Sequence, residues 1–104
     1  MKAKKGYLFA ELDVVDAAHF YDEYMPRVYP VLKEYGAVFL AGSDAPVVKE
    51  GGRDVKRVVL LEFDSLQRAE QFYHSEQYQA VIGYRFASAR SHVYIFEASE
   101  AQPG

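Results

Sequence analysis

One stretch, residues 57–85 (RVVLLEFDSLQRAEQFYHSEQYQAVIGYR), gathers the imidazole, carboxylate, guanidinium and phenol groups with which this chain could do chemistry. His74 follows Tyr73 at an expected helix break, and an imidazole there would suit proton abstraction near neutral pH. Glu62 lies in an otherwise apolar strand, where a carboxylate is costly to bury unless it is paired or serves as an acid or base. Glu11 sits in the same kind of setting in the first apolar run. Arg85 stands after an expected helix end, where its planar fork could grip a carboxylate through two parallel N–H bonds. Tyr7, Tyr73 and Tyr78 could line an aromatic pocket and orient a ligand through their hydroxyls. The candidate proton handlers are therefore His74 and Glu62, and the candidate ligand contacts are Arg85, Tyr73, Tyr78, Glu11 and Tyr7.

Each of these residues also has a structural reading. His74 could face solvent on its helix, and the two glutamates could pair with Arg57, Arg85 or Arg90. Arg85 could tie its loop to a carbonyl or a glutamate, and the tyrosines could simply pack a core or an interface.

Composition removes many alternatives. Cysteine is absent, which excludes thiolate nucleophiles, disulfides, iron–sulfur clusters and cysteine zinc sites. The three histidines, His19, His74 and His92, show no paired spacing, so no metal site is expected. None of them stands in an axial-ligand context for haem. Gly51-Gly52 lacks the Gly-x-x-x-x-Gly-Lys phosphate loop, and neither a nucleophile elbow nor a dinucleotide fingerprint occurs, so no cofactor is expected. The net charge is -3, and no basic run extends beyond Lys4-Lys5, which argues against nucleic acid. The basic start is followed by a short apolar run broken by Glu11 and Asp13, and no ~18-residue apolar stretch exists. A cytoplasmic protein without a membrane span is expected. What remains is proton transfer or oxidation in a shielded cavity acting on a small, partly apolar anion, or else a dimer module with no catalytic role.

The chain must position these groups with few elements, since 104 residues fit a single domain, 1–104, with a core over about 6–98. Residues 6–13 read as a strand with Tyr7, Phe9 and Glu11 on one side and Leu8, Ala10 and Leu12 on the other. Asp16 offers an N-cap, and Phe20, Tyr24, Val28, Val31 or Leu32, and Tyr35 form a helical stripe. Pro26 and Pro30 predict a kink or two shorter helices, and Gly36 predicts the stop. Residues 37–41 read as a second strand, 47–50 as a minor hairpin strand, and 56–63 as a central strand apolar on both faces. Asp64 or Ser65 caps the next helix, with Gln67 placed for a capping box on Asp64. Ser75 starts a further turn that Gly83 ends, residues 92–97 form the last strand, and 98–104 fray. Strand, helix, strand, strand, helix, strand is the ferredoxin-like α+β plan with an antiparallel sheet. Two helices cover one sheet face only, so a homodimer is expected to cover the other and form a two-sheet barrel.

The segments GYLFAELDVVDAAHFYDEY, YGAVFLAG and RVVLLEFDSLQRAEQFYHSEQYQ, with the ending R-x-A-x-A-R-x-x-V-Y-I-F-E, resemble the bacterial domain of unknown function family 1330. The most specific part is met by Glu62, Phe63, Ser65, Ala69, Phe72, Tyr73, Ser75, Tyr78 and Gln79. That family looks like a member of the dimeric α/β-barrel superfamily, which also holds cofactor-free monooxygenases, isomerases, dehydratases and haem-handling proteins. The resemblance implies the fold and a homodimer, and it implies no particular activity. Ser75-Glu76-Gln77-Tyr78 replaces the usual Ser-Pro-Glu-Tyr, and Pro26 is additional. Neither change breaks the fold, although without proline at position 76 the start of that turn is less fixed.

Overall fold

The computed structural model describes residues 4–99. β1 (Gly6–Val14) leads into one helical run built from α1 (Ala17–His19), a π turn (Phe20–Tyr24) and α2 (Met25–Glu34). Then follow β2 (Val38–Ser43), β3 (Arg57–Phe63), α3 (Leu66–His74), α4 (Glu76–Gln79), α5 (Ile82–Ser88) and β4 (Ala89–Glu97). The strands form one antiparallel sheet in the order β2-β3-β1-β4, and the helices pack on one face, which is the ferredoxin-like α+β arrangement. β3 lies between β1 and β2, as its apolar residues on both parities require.

Alternation along β1 divides the sheet into two faces. Leu8, Ala10, Leu12 and Val14 are buried beneath the helices, whereas Tyr7, Phe9, Glu11 and Asp13 point to the other side. Val59, Leu61 and Phe63 of β3 join the buried set and meet Phe20, Val28, Leu32, Ala69, Phe72 and Ile82 from the helices. Burying each large side chain of this kind stabilises the fold by about 1.5–3 kcal/mol.

Local chemistry sets the helix ends. The Asp16 carboxylate accepts from the His19 backbone N–H at 3.0 Å, and Ser65 accepts from that of Arg68 at 3.0 Å. The cap of α3 is thus Ser65, so Gln67 does not stand at the third helical position and the expected capping box is not formed. Gly36, with φ of 74°, turns the chain out of α2 in a conformation that a side chain would strain. Gly6 is required for space instead: a Cβ there would lie 2.4 Å from the Ser65 carbonyl oxygen.

The irregularity expected at the prolines takes the form of a π turn between α1 and α2 within one helical run, and two other expectations are corrected. The turn before Pro26 widens to i→i+5 bonding, with the Met25 N–H bonded to the Phe20 carbonyl, which makes room where the ring would press on the preceding turn. Residues 47–50 form no strand, because both edges of β3 are already occupied and Pro46 offers no N–H. Gly83 does not end a helix. It lies within α5, whose buried Ile82, Arg85 and Ser88 recur on one side, and β4 begins at Ala89 rather than at residue 92. Of the tail expected to fray, residues 100–104 lie outside the described residues.

Candidate functional site

The seven candidate residues do not converge on one point. Tyr7, Glu11 and Glu62 lie on the open sheet face, Tyr78 and Arg85 lie between sheet and helices, and Tyr73 and His74 lie at the end of α3. The sheet itself separates the first group from the others.

On the open face the charges are largely answered. Glu11 forms an ion pair with Arg53, which also donates to the Tyr94 hydroxyl at 3.3 Å. Tyr7 donates to the Glu62 carboxylate at 3.3 Å. The rings of Tyr7 and Phe96 lie 5.6 Å apart and those of Phe9 and Tyr94 6.4 Å apart, forming aromatic pairs across β1 and β4. Phe96, Tyr94 and Val38 are about half exposed (45%, 46% and 50%), so this face presents a wide apolar surface. The connection between β2 and β3 is held by Asp44, which takes hydrogen bonds from Tyr21 and Arg57 that keep its carboxyl below the usual range.

The interior group is different in kind. Arg85 is 4% exposed, and its Nε–H donates to the Tyr78 hydroxyl at 3.2 Å. That hydroxyl lies 2.8 Å from the hydroxyl of Tyr24, which the π turn aims inward. Among the described residues no carboxylate lies within ion-pair distance of the guanidinium. Burial opposes its charge, yet the adjoining Tyr78 and Tyr24 outweigh that effect, and its pKa lies above the ordinary arginine value. Burial likewise pushes the Tyr24 phenol well above the usual tyrosine range, with Tyr78 adding to the rise, so Tyr24 keeps its proton at neutral pH. The three polar groups border a cavity of about 50 Å³ whose other walls are apolar, including Leu8, Leu61, Phe72 and Val93. That volume holds a water or two rather than a ligand.

Ser75 fixes Tyr78 in this position. Its hydroxyl donates to the Phe72 carbonyl at 2.7 Å and accepts from the Tyr78 N–H at 3.1 Å, so one side chain ends α3 and starts α4 without the missing proline. The Tyr78 ring also packs on Phe72 at 4.5 Å and Tyr73 at 5.6 Å. His74 is exposed and meets Glu70 one turn earlier at 3.3 Å. With Tyr73, Val93 and Ile95 these two border a surface groove of about 270 Å³.

Tyr24 is the residue that sequence reasoning placed only in a core stripe. The available signal was its hydroxyl, since a tyrosine on the buried side of a helix needs a polar partner inside. Among the described residues no group of acidic and histidine side chains could hold a metal ion, and no helix is long and apolar enough to cross a membrane.

Comparison with solved structures shows the same fold in proteins of diverse description. A protein of unknown function from Rhodopseudomonas palustris is 12% identical, with a TM-score of 0.78 over 96% of this chain and 86% of that one. SnoaB, a cofactor-independent oxygenase from Streptomyces nogalater, is 13% identical, with a TM-score of 0.67 over 98% of this chain and 100% of its own. A hydroxynitrile lyase from Passiflora edulis is 11% identical, with a TM-score of 0.61 over 96% and 98% of the two chains. At these identities the likeness is one of fold, and a fold shared by an oxygenase and a lyase selects no reaction. A search of curated proteins finds no match to the sequence. Residues 5–99 match the family described as a domain of unknown function (DUF1330), and the chain belongs to that family.

Proposed function

We propose that this domain binds a small, partly apolar monoanion in the space between its helices and sheet, with Arg85 holding the charge. The observation that carries the reading is that Arg85 is 4% exposed with no carboxylate partner among the described residues. A buried cation of this kind costs several kcal/mol unless something anionic answers it, and the terminal nitrogens of Arg85 suit a carboxylate or an enolate oxygen. Tyr78 and the protonated Tyr24 add hydroxyls that can donate to the same oxygen or pass a proton to it. Any chemistry at this site would draw on the chain's own side chains and on the substrate's reactivity. Glu62 and His74 take no part in this reading, because one is across the sheet and the other is exposed on α3.

The same proposal includes a homodimer. A slab about 16 Å thick, with aromatic pairs on its uncovered face, lacks a second layer there, and a second copy provides one of matching character. The competing reading, a dimer module without a ligand, draws its support from the interior cavity of only about 50 Å³.

Calorimetric titration with octanoate and benzoate separates the two readings. Saturable binding that weakens at least tenfold in Arg85→Met is expected, the loss of charged hydrogen bonds being worth about 1.5–3 kcal/mol. Equal binding by both proteins, or none by the wild type, would leave the dimer module as the better description.

A further inference from the structure

Val93 is a wall between two spaces. On its inner side it borders the cavity of about 50 Å³ together with Tyr78 and Arg85, and on its outer side it borders the groove of about 270 Å³ between α3 and β4. Among the described residues it alone borders both. The inner space is too small for a ligand of ordinary size, but the two joined reach the lower end of the ligand-pocket range of about 300 Å³.

The surroundings make that partition thin. β4 is an edge strand, so no outer neighbour holds it, and Val93 is paired with Ala10, whose small side chain leaves room for a changed rotamer. α5, which carries Arg85, packs against β4, so the cation sits near this edge of the sheet. Tyr73 forms the aromatic side of the groove, and its ring stands 5.6 Å from that of Tyr78. Ile95 continues the apolar floor outward, and the Glu70–His74 pair stands at the rim. A carboxylate held at that rim would meet the Glu70 charge, whereas one pushed inward would meet Arg85.

From this arrangement we infer that the ligand passes between α3 and β4 at Val93 and is an apolar-tailed carboxylate longer than the interior can hold. Its head lies on Arg85, and its tail runs past Val93 along Tyr73 and Ile95. The inference rests on the role given to Arg85 above and adds the way in, the tail site and the class of molecule. Tyr73 and Val93 then determine specificity, and His74 is a rim residue. The opposite half-exposed wall is Phe39 on β2, which Tyr29 covers with ring centroids 5.5 Å apart.

Straight-chain carboxylates from butanoate to octanoate, titrated calorimetrically into the full-length protein and its variants, test this. In the wild type each added methylene is expected to tighten binding about fourfold, the equivalent of about 0.8 kcal/mol per buried CH₂. Val93→Phe, which fills the partition, should abolish that dependence on length. Tyr73→Ala, with its fold checked by circular dichroism because the ring packs on the core, should weaken octanoate at least fivefold and leave butanoate unchanged. If the length dependence persists in Tyr73→Ala and Val93→Phe while Arg85→Met still removes binding, the route and tail site are wrong and the Arg85 site stands. Loss of binding in Phe39→Trp alone would move the route to the β2 edge and overturn the inference. Binding of every length unaffected by Arg85→Met would overturn both readings.

Discussion

Replacing Arg85 by methionine should make the ligand-free protein more stable, because the wild-type side chain keeps a charge in the interior for a purpose other than folding. Methionine matches the aliphatic stem as far as Nε, removes the charge and leaves the space of the outer guanidinium atoms unfilled. Arg85 is 4% exposed, and among the described residues its side chain donates one hydrogen bond, from Nε to the Tyr78 hydroxyl at 3.2 Å. Losing that bond costs about 1.5–3 kcal/mol, since one partner is charged. The Tyr78 hydroxyl is not orphaned, however, because Tyr24 lies 2.8 Å away. Against the loss stands relief of the desolvation of an ion with no carboxylate partner among the described residues, several kcal/mol, less the part returned by the Tyr78 and Tyr24 hydroxyls and by the Phe86 ring 5.1 Å away. A thioether adds apolar contact along the stem. The balance favours Arg85→Met by about 1–3 kcal/mol, and a domain of this size shifts by roughly 4–8 °C in Tm for each kcal/mol. Urea unfolding followed by circular dichroism measures this, with both proteins at the same concentration because association adds to apparent stability. A loss of 1 kcal/mol or more would show that the guanidinium holds the fold together, and the ligand reading would lose its main support.

Three other outcomes follow from particular contacts. Tyr24 has a folded-state pKa well above that of the unfolded chain, so the native state keeps a proton that the unfolded state gives up. Its contribution to stability is therefore complete below pH ~10 and is lost as pH rises through the folded value. Urea midpoints between pH 8 and pH 11 should fall more steeply in the wild type than in Tyr24→Phe, and parallel profiles would contradict the assignment. Gly6→Ala forces a methyl group to 2.4 Å from the Ser65 backbone oxygen, so a loss of about 1–3 kcal/mol is expected in denaturant unfolding, and an unchanged midpoint would show that the β1–α3 approach is looser than described. Leu60 sits on the open face opposite Phe9, and Leu60→Asp places a charge in the middle of the proposed interface. Sedimentation velocity at micromolar concentration should show a dimer for the wild type and a monomer for the variant, whereas a monomeric wild type would rule out the second copy.

Element type was legible in this chain wherever the apolar pattern was strong. β3 showed its central place through apolar residues on both parities, and β1 and the first helix showed theirs through periods of two and three to four. Boundaries that depend on partners were not legible. Gly83 looked like a stop because an isolated glycine disfavours a helix, yet Ile82, Arg85 and Ser88 bury one side of α5 and carry it through. Val47 and Val48 look like strand residues, but a hairpin with β3 needs the edge that β2 already occupies.

The candidate site divides in the same way. Sequence by itself determined which chemical groups were available, namely arginine, tyrosine, carboxylate and imidazole with no thiol, and that Arg85 and Tyr78 were worth attention. Only the tertiary structure decided that those two meet Tyr24 inside the protein, while Glu11 and Glu62 stand on the far side of the sheet. The physical reason is that a strand turns alternate residues to opposite faces, and whether a polar side chain meets a helix layer or open space is set by what packs there. Burial and the absence of a counter-charge are properties of that packing. They single out Arg85, and no spacing in the sequence encodes them.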